Sequence, residues 1–369
     1  MIRRIRPHVE AALPGWVVAR ILVVGTLGFA HLMAKRLDPL PDWSLRHLDE
    51  GLMGWDAVRY EEIARLGYEA LPDRELRFFP LLPLVGRGLG FLFGGQYGFA
   101  LLLIASASAL AFGALLHRLV LLEREDDLDS ARRVTWFVAL APAAFVLAWG
   151  YSEALAGALT AAGFLFLRQR KWWWAAATGV LIGLVRPVGL FFVVPAAVEA
   201  LRAVRRSELP ARLAAVAAPA VGCALYLGWV GLIYGDPMLP FTVQEEEGLR
   251  GPAANPLDVL GTAVSNVFSG ELRGNALHAP WIGLAVLLIV LAARRLPASY
   301  TAFSAVTVVV ALSSGNLSSF ERYTFTTVPI LVAAAVVLAE ERVERSALAI
   351  GAGTMAVFGT LSILGSYVP

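Results

Sequence analysis

Long apolar stretches alternate with short polar ones along most of this chain. The pattern predicts helices near 14–34, 97–117, 134–149, 152–167, 172–185, 187–200, 213–234, 279–293, 297–314, 323–339 and 347–366. A helix needs roughly 20 apolar residues to cross a hydrocarbon core of about 30 Å, and several of these runs reach that length. Only two connections are long, 35–96 and 236–278. The others are short turns, so successive helices should run antiparallel. The expected fold is all-α, a polytopic membrane protein of about 11 transmembrane helices.

Composition sharpens this. The chain is 58% hydrophobic and only 16% charged, with a mean hydropathy of +0.66, outside the range of soluble domains. No polar block is large enough to fold by itself, so residues 1–369 are expected to form a single transmembrane domain. Cys223 sits in an apolar run and, as the one cysteine, has no partner for an intrachain disulfide; it reads as a small packing residue. The start, "MIRRIRPH", has the basic character of a signal peptide. The apolar segment after it is long, contains Arg20 and lacks a small-residue cleavage site, so it reads as an uncleaved first span.

Charge then sets the orientation, because cytoplasmic loops attract Lys and Arg. With the amino terminus inside, the inner connections carry Arg118, Arg124, Arg132, Arg133, "RQRK" at 168–171, Arg202, Arg205, Arg206, Arg212, Arg294, Arg295, Arg342 and Arg345. Both long loops then face outward, and both are acidic. From Lys35 to Arg77 there are seven bases against ten acids, and from Asp236 to His278 two against six. This requires that "FFPLLPLVGRGLGFLFGG", 78–95, does not cross; Pro80, Pro83, Arg87 and its glycines suit an interfacial or re-entrant segment. The hairpins 134–167 and 172–200 are short, with outer tips "WGYSE" and "VRPVG". Fourteen helical residues rise only about 21 Å, so these tips should border a cavity open to the outside.

Polar residues that survive in such a chain are the candidates for chemistry. In "GWDAVRYEEIARLGY", 54–68, the spacing of Val58, Ile63 and Leu66 predicts an amphipathic helix on the outer membrane surface. Arg59, Glu61, Glu62 and Arg65 would form its solvated face. Asp56 is either the cap of that helix or a catalytic carboxylate, and spacing alone leaves both open. Glu153 opens a membrane segment, where the helix dipole also favours an acid. Arg186, on the outer side between two apolar runs and before Pro187 and Gly189, should be functional or paired. Arg322 in "SSFERYTFTTVP" is a similar case. His31 and His117 read as helix-end residues, and the glutamates at 245–247 as a solvated run. No spacing matches a metal site, and no cofactor is implied.

In chain order these pieces resemble the PIG-V family of mannosyltransferases, within the polytopic GT-C class of glycosyltransferases that use lipid-phosphate sugars. The resemblance rests on "WDAVRYEEIARLGY" followed by "RFFPLLPLV", on "YSEALAGALTAAGFLFLRQRKWWWAA", on "GLVRPVGL" and on "GDPMLPF". Together they cover about 54–244; beyond, only "ERYTFTTVPI" is similar. Pro187 departs from the commoner family turn, which has a polar residue after the arginine.

The resemblance implies that Asp56 is the catalytic base. It places Trp55, Tyr60, Ser152, Glu153, Arg186, Asp236, Gln244 and Arg322 among the substrate-binding residues. It implies a polyprenyl-phosphate sugar as donor, and a glycolipid, glycan or protein as acceptor, with membrane lipid around the chain and no nucleic acid. The chemistry agrees. A prenyl-phosphate is a good leaving group, so one carboxylate suffices to take the acceptor proton, and arginines suit the departing phosphate. Direct displacement would invert the anomeric centre. The alternative class is a transporter or lipid flippase. Against it stand the lack of internal repeats and the gathering of polar groups on one side rather than at the midplane.

Overall fold

The structure is a computed structural model, and it describes residues 2–36, 42–246, 249–270 and 274–367. Helices dominate. The first are α1 (Ile2–Ala34), α2 (Asp42–Glu50), α3 (Asp56–Leu66), α4 (Leu81–Leu92), α5 (Tyr97–Glu123), α6 (Leu128–Leu140) and α7 (Glu153–Arg168). After them come α8 (Trp172–Val185), α9 (Val193–Ala200), α10 (Leu209–Tyr234), α11 (Leu239–Thr242), α12 (Pro256–Ser269) and α13 (Ala279–Ala293). The last are α14 (Ala298–Leu312), α15 (Phe320–Phe325), α16 (Val328–Val337) and α17 (Glu341–Ile363). Among the described residues the only β pairing is one isolated bridge, Ala253 to Ser314.

This is an all-α, polytopic membrane fold. Among the described residues, five helical segments are long and apolar enough to cross a membrane: 5–34, 97–123, 206–234, 274–293 and 341–363, of which 206–234 and 274–293 begin with a 3-10 turn. The other expected crossings are shorter or broken, and prolines explain the breaks. The run 134–149 is not one helix. Pro142 forces Ala141 out of the helical region, to ψ 152°, and the chain continues as a 3-10 turn at Ala144–Ala148. In 187–200 a 3-10 turn, Pro187–Phe192, precedes α9, and the run 323–339 is divided between α15 and α16. The segment 78–95 holds only α4, whose 12 residues are too few to cross and leave Leu84, Phe91 and Leu92 exposed.

The chain divides into two compact units. One comprises 1–65, 82–161 and 334–369; the other comprises 66–81 and 162–333. In the first, α1 packs on α5 and α6 through small residues: a Cβ on Gly15 would lie 3.1 Å from Thr135 O, and one on Gly113 3.1 Å from Ala12 Cβ. Lipid gives helices no hydrophobic reason to pair, so close approach of small residues supplies the attraction. The second unit takes this further. Where α8 crosses α10, a Cβ on Gly183 would collide with Pro219 O, and one on Gly222 with Val180 O. The backbones touch. Cys223 is buried at this crossing, as its apolar context predicts.

Several arginines of the expected inner connections are built into ion pairs. Arg133 meets Glu344 at 2.7 Å in the first unit; Arg168 meets Glu199 at 2.9 Å and Arg212 meets Glu208 at 2.9 Å in the second. His31 ends α1 as expected, with Nδ1 2.8 Å from Leu27 O. His117 does not end a helix. It is buried within α5, its Nδ1 2.9 Å from Nδ1 of His8.

Candidate functional site

In the first unit Asp56 opens α3 and lies in its first turn. Trp55, just before it, has φ 58°, in the left-handed region that costs a non-glycine residue roughly 1–2 kcal/mol. The surroundings hold it there. Its indole stacks on the His47 ring, with centroids 4.1 Å apart and planes 5° from parallel, and its Nε1 donates to Ser362 O of α17 at 2.9 Å. Backbone strain of this kind concentrates at functional sites, where the neighbourhood over-determines one conformation.

The tip "WGYSE" lies against the same helix start. The Asp56 backbone N–H donates to the Tyr151 hydroxyl at 3.2 Å, and the Tyr60 hydroxyl donates to Ser152 Oγ at 2.9 Å. Gly150 N donates to Leu52 O at 3.3 Å, and a Cβ on Gly150 would come within 2.8 Å of Met53 Sδ. Ser152 and Glu153 are buried, at 1% and 4% exposure. Beneath, Arg20 from the middle of α1 lies 4.5 Å over the Trp16 ring and donates through Nη2 to Leu147 O at 3.1 Å. It satisfies a carbonyl in the 3-10 turn where α6 has broken.

The face that α3 buries differs from the expected one. Ala57, Tyr60, Ile63 and Ala64 point inward, Val58 is half-buried and Leu66 is exposed. Alanines allow close approach, and Tyr60 finds its partner in Ser152. Of the expected solvated face only Arg65 is exposed. Glu62 pairs with Arg59 at 2.8 Å, both half-buried, and Glu61 packs its carboxylate against Gly98 at the start of α5.

The second unit gathers cations instead. Among the described residues, Arg186, Arg250 and Arg322 surround the Tyr323 ring, their guanidinium carbons 4.9, 4.4 and 5.0 Å from its centre. Arg322 also donates to the Tyr323 hydroxyl at 2.9 Å. Any two of these guanidiniums are therefore no more than about 10 Å apart and repel by about 1.7 kcal/mol at an effective dielectric near 20. A cation gains a comparable amount from an aromatic face, about 0.5–2 kcal/mol. Gains of that size are no more than comparable with the repulsions, and three guanidiniums around one ring attract negative charge, from side chains, a ligand or both.

The approach to this helix mirrors the first. Ser319, immediately before α15, has φ 69°. Behind Arg322, Glu321 is buried, with both carboxylate oxygens accepting from His278 Nδ1 at 2.8 and 3.0 Å. Of the expected contact residues on the second loop, Asp236 is exposed and its carboxylate accepts from Met238 N at 2.8 Å, closing its own turn. Gln244 is half-buried and donates to Pro240 O at 3.1 Å. Glu245 and Glu246 are exposed as expected, and Glu247 lies outside the described residues. Among the described residues no group of three or more His, Cys, Asp or Glu could hold a metal ion.

Sequence reasoning missed Arg250, Tyr323, Tyr151 and the His278–Glu321 pair. Arg250 left a signal: it is one of only two bases in a loop with six acids. The other three become visible only once distant segments are in contact.

No family model and no curated protein matches the chain. Among solved structures it is similar to the oligosaccharyltransferase of Archaeoglobus fulgidus in complex with Zn and sulfate. That match has a TM-score of 0.41 and 15% identity, and covers 79% of this chain and 45% of that one. It is similar also to the oligosaccharyltransferase AglB of the same organism in complex with an inhibitory peptide and a dolichol-phosphate. Here the TM-score is 0.40 at 13% identity, over 79% of this chain and 48% of that one. The chain spans under half the length of these structures, and nothing about its activity follows from a likeness of this extent.

Proposed function

We propose that the chain, working as one domain over 1–369, is an inverting membrane glycosyltransferase of the GT-C type. It would move a hexose, mannose in the first instance, from a polyprenyl-phosphate sugar to a hydroxyl of a lipid, glycan or protein acceptor. The long loops 35–96 and 236–278 would face the extracytoplasmic side, with the amino terminus inside. The observation that carries this reading is Asp56 in the first turn of α3, behind the strained Trp55 and fixed through its backbone to Tyr151. A residue whose backbone is held in this way is fit to present its carboxylate for proton transfer.

In the proposed reaction Asp56 takes the acceptor proton as the acceptor oxygen bonds to the anomeric carbon. The bond from that carbon to the phosphate oxygen breaks, and the lipid phosphate leaves with one more negative charge than the donor carried. Arg186 and Arg322 receive that charge, which is where pre-placed donors lower a barrier most. Asp56→Asn keeps the size of the side chain and is as good at a helix start. In membranes given a labelled polyprenyl-phosphate mannose, this variant should be made in normal amount and lose at least about 10²-fold in turnover. Transfer near the wild-type rate refutes the base. A wild type that moves lipid but transfers no sugar points to the flippase instead.

A further inference from the structure

We infer that Arg250 is a third ligand of the lipid-linked phosphate, delivered by the second long loop to the place where Arg186 and Arg322 already stand. This rests on the donor class proposed above and adds a residue to it. Arg250 comes closest of the three arginines to the Tyr323 ring, at 4.4 Å. The backbone on both sides of it is tied down. Its N–H donates to Gln244 O at 3.1 Å, Ser314 Oγ donates to its carbonyl at 2.8 Å, and Asn316 Nδ2 donates to Leu249 O at 3.3 Å. Ala254 N donates to Ser313 O at 3.1 Å, so residues 249–254 follow the strand of chain that leads into α15. Asn275 closes the same knot, donating to Gly315 O at 2.8 Å and accepting from Leu317 N at 2.9 Å. The loop is thus fastened to the segment that carries Arg322 and Tyr323.

This effort places a cation. Among the described residues no carboxylate lies within ion-pair distance of Arg250, although the loop holding it is acidic. Its guanidinium carbon lies 4.4 Å from the centre of the Tyr323 ring, a contact that consumes none of the hydrogen-bonding capacity a phosphate would use. A guanidinium edge matches two oxygens of a phosphate, which an ammonium cannot do. The shared chemistry is a phosphate ester, and the lipid tail is what distinguishes the donor from free phosphate.

The test uses the purified full chain in neutral detergent and three probes: a polyprenyl phosphate, the corresponding polyprenol and inorganic phosphate. For the wild type, binding should be tightest for the polyprenyl phosphate, with the polyprenol weaker. Arg250→Gln should raise the Kd for the polyprenyl phosphate at least about tenfold and leave the Kd for the polyprenol unchanged. Arg250→Lys, which keeps the charge, should fall between, and it carries the test if the Gln variant is unstable. Equal binding of the polyprenyl phosphate by wild type and Arg250→Gln overturns the role of Arg250. So does an equal loss for phosphate and polyprenol, which marks a packing residue, or a wild type that prefers inorganic phosphate. A wild type that binds no polyprenyl phosphate removes the donor class itself, and Arg250 with it.

Discussion

The starts of α3 and α15 solve one problem in two ways. Each follows a non-glycine residue in the left-handed region, Trp55 in the first unit and Ser319 in the second, and each carries a candidate reactive residue in its first turn. At α3 the supports include an indole, two phenols, a serine and backbone carbonyls. At α15 they include a buried histidine against a glutamate, and guanidiniums around a tyrosine. A general base needs a fixed position, which the strained Trp55 and the Tyr151 hydroxyl give the backbone of Asp56. A group that receives a departing anion needs positive charge held in place before the anion forms, and the second unit gathers its cations around one ring.

That contrast can be broken at the start of α15 first. His278→Leu removes a buried hydrogen-bond partner of Glu321, and removing one partner of a buried polar pair costs about 1–3 kcal/mol. We expect the largest loss of thermal stability from it, with His278→Gln milder; a melting temperature unchanged in the Leu variant would show that the pair does not hold α15. Next comes Arg186. Gln should reduce turnover on the order of 10²-fold and Lys by less, because charge develops on the phosphate in the chemical step. If instead both variants lose only yield, Arg186 is a packing residue. The smallest effect belongs to the start of α3. Tyr60→Phe deletes one hydrogen bond, to Ser152, and should lower stability by about 0.5–1.5 kcal/mol. A loss as large as that of His278→Leu would erase the distinction between the two helix starts.

Much of the helical layout could be read from hydropathy, because a long apolar run in a membrane has few alternatives to a helix. The breaks at 141–143 and at 326–327 escaped it, since hydropathy continues straight through both. Arg186 stands out as a charge between two apolar runs and Arg322 as a similar case, whereas Asp56 is singled out by the resemblance. Arg250 does not stand out, being one polar residue in a polar loop; only the folded chain brings it to Tyr323. The buried face of α3 escapes hydropathy for a related reason. Ala57 and Ala64 carry little hydropathic signal, yet small residues are what membrane helices pack with. His117 reads as a helix end because the apolar run stops there, whereas α5 continues to Glu123 and His117 meets His8, 109 positions away.

The close crossing of α8 and α10 at Gly183 and Gly222 has a consequence for how the protein is made. Only residues 186–208 separate the two helices in sequence, so they can dock as soon as Tyr234 has entered the bilayer, while the rest of the chain is still being synthesised. Joining ends so near in sequence sacrifices little chain entropy. The α8–α10 pair is therefore the seed of its unit, and Arg186 rides on the connection between the two helices. Arg250 and then Arg322, later in the chain, are added to a scaffold that already stands, which makes the emergence of α15 the last step in gathering the cations.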